Sequence, residues 1–123
     1  MEMRAEIIIS GRVQKAIFRY FIDELAFGLN LKGYVKFLDD GTVQLVCEGE
    51  EGAIIELLGN ININRYPVRV ENVDVVYEKP TGEYKTFEII WSEDPAIEAY
   101  ERIDAFVECL RVIAQGSAGF FKK

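Results

Sequence analysis

The order in which strand-like and helix-like apolar patterns alternate along the chain is the feature that most limits its fold. Runs rich in isoleucine and valine predict strands, and apolar residues recurring every three or four positions predict helices. The predicted strands are residues 4–10, 31–38, 42–48, 68–77 and 84–91, and the predicted helices are residues 18–28 and 53–61. This β-α-β-β-α-β order, with its last strand region split by a turn, predicts an α+β fold. The expected architecture is a ferredoxin-like split β-α-β sandwich, an antiparallel sheet with two helices on one face.

The clearest local signal is the turn Asp39-Asp40-Gly41 between two apolar runs. Asp-Gly in this setting is typical of a β-hairpin, because glycine adopts the left-handed conformation that tight turns need. Glu50 and Glu51 precede the second helix, where carboxylates interact favourably with the helix dipole. We interpret these acidic pairs as turn and helix-end chemistry, since adjacent side chains diverge and make poor metal or acid–base pairs.

A third amphipathic helix is predicted after the sheet, starting near Pro95 and ending near Gly116. The chain therefore divides into a domain of residues 1–91 and a helical extension of residues 92–123. The runs 7–9, 45–47 and 89–91 are continuously apolar, which is typical of strands covered on both faces. We expect the extension to cover the second face, either in the same molecule or across a homodimer formed through residues 95–115.

Composition narrows the classes of function. The 123 residues suffice for one core, and the net charge of −7 makes a nucleic-acid partner unexpected. No apolar run approaches the roughly 20 residues of a membrane span, so no membrane partner is expected. The N-terminus lacks the basic and apolar regions of a signal peptide, which predicts a cytoplasmic protein.

The absence of histidine excludes histidine-based catalysis and mixed cysteine–histidine zinc sites. Cys47 and Cys109 are the two cysteines, and we interpret both as structural thiols. A disulfide between them is not expected in a cytosolic chain. We predict no metal and no cofactor. Trp91 is interpreted as a core or interface anchor.

Two spaced motifs on this strand–helix pattern resemble those of the acylphosphatase family, and the resemblance covers about residues 3–91. The first motif is carried by Ile9, Gly11, Val13, Gln14, Phe18 and Arg19, and the second by Gly33, Tyr34, Val35, Lys36, Gly41, Val43 and Gly49. Three positions differ from the family pattern: Lys15 replaces a glycine, Ala16 replaces a valine, and Phe37 replaces an asparagine.

The resemblance implies hydrolysis of the carboxyl–phosphate anhydride of acyl phosphates, without a metal, and a phosphate-containing small molecule or other anion as the partner. It assigns the catalytic, phosphate-binding role to Arg19. It also implies an anion-binding loop formed by Val13, Gln14, Lys15, Ala16, Ile17, Phe18 and Arg19. Backbone N–H groups that lead into a helix N-terminus attract anions, and a guanidinium group binds phosphate oxygens.

The three substitutions leave several interpretations open. A phenyl ring at Phe37 cannot orient the attacking water, so we expect a diverged member that binds anions but hydrolyses acyl phosphates weakly or not at all. The alternative is an active acylphosphatase whose water is held by another group, such as Asn30 or Asn62, or by the substrate's phosphate. A purely structural subunit is the third possibility. Arg19 alone could also be a solvated residue paired with Asp23.

Overall fold

A computed structural model describes residues 1–14, 16–65 and 68–91, together with the isolated positions 103 and 107. The described part contains six strands and two helices. The strands are β1 (Glu2–Arg12), β2 (Lys32–Phe37), β3 (Val43–Glu50), β4 (Asn64–Arg65), β5 (Val68–Glu78) and β6 (Phe87–Ile90). The helices are α1 (Ala16–Gly28) and α2 (Glu51–Ile61).

The six strands of the described part form one sheet in the order β4-β5-β1-β3-β2-β6. Strands β1, β3, β2 and β5 pair antiparallel, as the sequence predicts for a ferredoxin-like sandwich. The last strand differs, because β6 pairs parallel with β2. The sheet is therefore mixed, and the prediction of an antiparallel sheet is wrong at this edge. The segment between β5 and β6 therefore takes the chain from near one edge of the sheet to the opposite edge.

Both helices pack on one face of the sheet, as predicted. Alternate residues of β1, such as Ile7 and Ile9, are buried against buried residues of α1 and α2, including Phe18 and Leu57. Directly opposite residues of neighbouring strands point to the same face of the sheet. The apolar residues of that face therefore form one layer, which packs against the helices. The apolar residues whose spacing predicts the helices form the stripe of each helix that faces this core.

The hairpin between β2 and β3 is confirmed. Asp40 accepts hydrogen bonds from the backbone N–H of Thr42 at 3.0 Å and from its hydroxyl group at 2.5 Å. Gly41 has a φ of 92°, a backbone conformation that residues with a Cβ rarely adopt. The turn places the end of β2 and the start of β3 beside the start of α1.

The segment between β5 and β6, residues 79–86, crosses part of the face opposite the helices. Thr81 binds the Glu48 side chain, and the Tyr84 ring lies 5.9 Å from the Tyr34 ring. Val46, which belongs to this face, is fully buried. Part of the second layer therefore comes from this crossing segment, which is consistent with the burial of Val46 within the apolar run 45–47. The predicted third helix and dimer interface, residues 95–115, lie almost entirely outside the described residues.

Candidate active site

Arg19 is the fourth residue of α1, in the first helical turn, where the sequence predicts it. Its side chain is only 1% exposed, so the interpretation of Arg19 as a solvated surface residue is wrong. Burying a charged group costs free energy unless other groups replace its hydration. The surroundings of the guanidinium group are therefore what defines this site.

Among the described residues, two aromatic rings and one backbone carbonyl contact the Arg19 guanidinium group. Its Cζ atom lies 3.7 Å from the centroid of the Phe37 ring and 4.6 Å from the centroid of the Trp91 ring. An Nη1–H group donates a hydrogen bond to the carbonyl oxygen of Ile90 at 3.3 Å. The Trp91 ring in turn packs against the Tyr20 ring, with 5.9 Å between centroids. Cation–π contacts of this kind are stronger where water is excluded.

The segment before Arg19 is shorter as a loop than the sequence predicts, because α1 already begins at Ala16. The side chains of Val13, Ile17 and Phe18 are fully buried in the core. These residues could therefore contact an anion only through their backbone N–H groups. Lys15 lies outside the described residues.

Gln14 attaches this segment to the β2–β3 hairpin. Its Nε2–H₂ group donates to the carbonyl oxygen of Leu38 at 2.5 Å and to that of Thr42 at 3.0 Å. The Gln14 amide therefore positions the loop. The resemblance alone implied only that Gln14 belongs to the anion-binding loop.

Neither of the two asparagines suggested as alternatives to an asparagine at position 37 lies close to Arg19. Asn30 follows the opposite end of α1, about 16 Å along the helix axis at 1.5 Å per residue. Asn62 lines a groove beside β5. Because β5 and β2 are three strand positions apart, Asn62 is about 14 Å from the Phe37 side of the sheet.

A second polar cluster lies at the other end of the sheet. Glu48 is 6% exposed and accepts hydrogen bonds from the Thr81 hydroxyl at 2.8 Å, the Gly82 N–H at 3.0 Å and the Arg4 guanidinium at 3.1 Å. Burial alone would raise the pKa of Glu48, but the hydrogen bonds from Thr81, Gly82 and Arg4 outweigh it and lower this pKa to about 2. The cluster is charged at neutral pH and fixes the crossing segment to the sheet.

The Arg4 guanidinium also donates to the Tyr84 hydroxyl at 3.3 Å and to Glu83 at 3.3 Å. The hydrogen bond to Tyr84, together with Glu48, raises the pKa of Arg4 above its usual range although burial opposes it. This cluster anchors the segment that leads into β6. It therefore contributes indirectly to where Ile90 and Trp91 meet Arg19.

The described part of the chain shows neither a cluster of metal ligands nor a membrane-spanning helix. No group of three or more histidine, cysteine, aspartate or glutamate side chains gathers there as metal ligands would. None of the helices in residues 1–14, 16–65 and 68–91 has the length and apolar character needed to span a membrane. Cys47 is buried, as predicted for a structural thiol.

Trp91 is the site residue that sequence reasoning missed. Its interpretation as a core or interface anchor did not connect it with Arg19, because the two residues are distant in the chain and meet only through the parallel pairing of β6 with β2. The one available signal was its place at the end of the last predicted strand, close to the end of the motif-bearing region.

The fold is thus a ferredoxin-like α+β sandwich with a buried arginine in the first turn of its first helix. Among proteins of this fold, this chain belongs to the acylphosphatase family, whose sequence model matches residues 5–89. It is 43% identical over 88 residues to the acylphosphatase of Roseiflexus sp. (strain RS-1), covering 72% of this chain and 95% of that protein. It is 38% identical over 89 residues to the acylphosphatase of Chloroflexus aurantiacus, covering 72% and 97% of the two chains.

Solved structures agree with this assignment. The crystal structure of acylphosphatase from Bacillus subtilis superposes with a TM-score of 0.68 at 30% identity, covering 72% of this chain and 99% of that chain. The match thus spans nearly all of that relative, and the ferredoxin-like α+β fold is confirmed. The remaining residues of this chain have no counterpart in it.

Proposed function

We propose that this protein hydrolyses acyl phosphates and that Arg19 binds the phosphoryl group. The observation that carries the proposal is the position of the buried guanidinium group in the first turn of α1, directly after the loop that the resemblance assigns to phosphate. A guanidinium group offers N–H donors in a fork that matches phosphate oxygens. The helix N-terminus adds a favourable dipole for an anion.

The reaction needs few groups from the protein. Water attacks phosphorus, the bond between phosphorus and the acyl oxygen breaks, and a carboxylate leaves. The conjugate acid of a carboxylate has a pKa of roughly 4–5, so the leaving group needs no general acid at neutral pH. The attacking water gives its proton to phosphate or solvent. Arg19 and the loop N–H groups would stabilise the charge on the phosphoryl oxygens, which explains how a chain without histidine could perform this reaction.

Phe37 decides how fast this reaction runs. Its ring lies 3.7 Å from the Arg19 Cζ atom, at the position where the family pattern has an asparagine. A phenyl ring gives the attacking water no hydrogen bond. The water would then be oriented by the phosphoryl oxygens of the substrate itself. Loss of one orienting or stabilising polar group typically lowers kcat by about 10²–10³-fold.

A second candidate function follows from the same ring. Because Phe37 covers the guanidinium group, the protein would be a phosphate- or anion-binding module with weak or absent hydrolysis. The family membership and the high coverage of the relatives favour hydrolysis, whereas the Phe37 contact favours binding without turnover. Both functions need neither metal nor cofactor, and the cytoplasm remains the predicted compartment.

The double substitution Lys15→Gly, Phe37→Asn separates the two candidates. We expect it to raise kcat for acetyl phosphate by about 10²-fold or more over the parent, because it restores a water-binding amide next to Arg19. The matched control carries Lys15→Gly alone and keeps the phenyl ring of Phe37 at the water-binding position. A parent that already turns over, with turnover removed by Arg19→Ala, supports hydrolysis. A parent that binds inorganic phosphate without turnover supports the binding module.

A further inference from the structure

We propose that Trp91 is a positioning residue for the phosphate-binding Arg19, and that the end of β6 thereby completes the anion site. This inference rests on the proposed function of Arg19. Three observations carry it: the Trp91 ring lies 4.6 Å from the Arg19 Cζ atom, the neighbouring Ile90 carbonyl accepts an Arg19 N–H at 3.3 Å, and Arg19 is 1% exposed.

The two contacts from this strand end restrain different movements of the guanidinium group. The hydrogen bond to Ile90 holds one nitrogen at the strand. The aromatic ring attracts the delocalised charge to its face and restrains the position of the central carbon. Phe37 on β2 supplies another ring at 3.7 Å from the same carbon. A guanidinium group held from β2 and β6 has less side-chain freedom to lose when an anion binds, which lowers the conformational cost of binding.

One contact that supports Trp91 comes from α1. The Tyr20 ring packs against the Trp91 ring with centroids 5.9 Å apart and 59° between the planes. Tyr20 follows Arg19 directly in the chain, so the same helical turn that provides the arginine also fixes the ring that holds it. Among the described residues, these contacts connect the start of α1, the end of β2 and the end of β6.

A purely structural role for Trp91 makes a different prediction. If Trp91 only filled space, a large aliphatic side chain would replace it, and the affinity for phosphate would not depend on an aromatic ring. If it positions Arg19 through its ring, phenylalanine should preserve phosphate binding and leucine should not. The comparison of Trp91→Phe with Trp91→Leu therefore separates the two roles.

The test uses the full chain and inorganic phosphate as the probe. Titration calorimetry gives the phosphate Kd of the wild type, Trp91→Phe and Trp91→Leu, well below the lowest Tm of the three proteins. Tyr77→Leu is the matched control, because Tyr77 is an aromatic residue on β5, three strand positions from β2, and is 44% exposed. In the wild type, Trp91 is the single tryptophan, so its emission should change on phosphate addition with the calorimetric Kd.

We expect Trp91→Leu to weaken phosphate binding by about 3- to 30-fold, the range of a buried cation–π contact. Trp91→Phe should remain within about 3-fold of the wild type, and Tyr77→Leu should bind as the wild type does. Equal affinity in Trp91→Leu and the wild type overturns the inference, and so does an equal loss in Trp91→Phe and Trp91→Leu.

Binding and turnover are measured separately, so the two proposals can fail separately. A wild type that binds phosphate but does not hydrolyse acetyl phosphate refutes the proposed hydrolysis, and the three Kd values still decide the role of Trp91. A wild type that hydrolyses acetyl phosphate while Trp91→Leu keeps its Kd refutes the positioning role alone. A wild type that does not bind phosphate overturns the inference.

Discussion

Replacing Glu48 by glutamine should destabilise the fold, and the loss should depend on pH. Glu48 accepts hydrogen bonds from the Thr81 hydroxyl and N–H, from the Gly82 N–H and from Arg4, at distances between 2.8 and 3.1 Å. Every one of these partners is a donor. A glutamine would turn one acceptor oxygen into an NH₂ group that faces donors, and it would leave the Arg4 cation without its buried partner.

The magnitude follows from the pKa of the carboxyl group. The pKa of Glu48 falls from 4.5 to about 2 because these hydrogen bonds outweigh the effect of burial. A change of about one pKa unit corresponds to about 1.4 kcal/mol, so the charged form contributes about 3 kcal/mol to the free energy of unfolding. Since Glu48 is 6% exposed, solvent screening reduces this figure little. We expect Glu48→Gln to cost about 2–4 kcal/mol at pH 7.

Urea unfolding of the wild type and Glu48→Gln between pH 7 and pH 2 measures this difference. The folded state has the lower pKa, so the contribution of Glu48 is complete above about pH 4.5 and is lost as the pH falls towards about 2. The difference in the free energy of unfolding between the two proteins should therefore disappear at low pH. Carboxylates that both proteins share affect both free energies equally and do not change this difference. A gap under about 0.5 kcal/mol at pH 7, or one that stays constant with pH, would refute the reasoning.

Two further predictions concern single positions. Gly33→Ala should lower the free energy of unfolding by at least about 2 kcal/mol in urea titrations, because Gly33 has a φ of 141° and an added Cβ would lie 1.9 Å from the Val46 carbonyl oxygen. Gly59→Ala, where an added Cβ meets nothing within 4 Å, is the control, and an equal loss in both would contradict this account. Burial and the neighbouring Glu48 raise the pKa of Cys47 to about 12, so iodoacetamide at pH 8 should modify Cys47 only after unfolding, as peptide mass spectrometry would detect. Modification of Cys47 in the folded protein at the rate found in urea would contradict its burial.

The parts of the fold that depend on local chemistry were predictable from the sequence. The hairpin at Asp40 and Gly41 follows from turn preferences of a few adjacent residues, and α1 and α2 follow from apolar spacing. The position of Arg19 at the start of α1 was predictable for the same reason. Each of these features depends mainly on residues that are close to it in the sequence.

The pairing of β6 and the surroundings of Arg19 were not predictable in this way. The parallel pairing of β6 with β2 depends on the crossing segment that Glu48 and Arg4 anchor, a set of contacts between distant parts of the chain. The burial of Arg19 depends on Phe37 and Trp91, which reach it only once the sheet has formed. Apolar patterns alone cannot tell which ring will lie over a particular charge.

The central claim is that Arg19 binds the phosphoryl group of an acyl phosphate during hydrolysis. The most direct test follows the release of inorganic phosphate from acetyl phosphate by phosphorus NMR, with wild type, Arg19→Lys and Arg19→Ala beside a buffer blank. The account predicts turnover above the blank in the wild type, a loss of at least about 10²-fold in Arg19→Ala, and only partial retention in Arg19→Lys, which keeps the charge without the planar fork. Equal rates in the wild type and Arg19→Ala, or a wild type no faster than the blank, would contradict it.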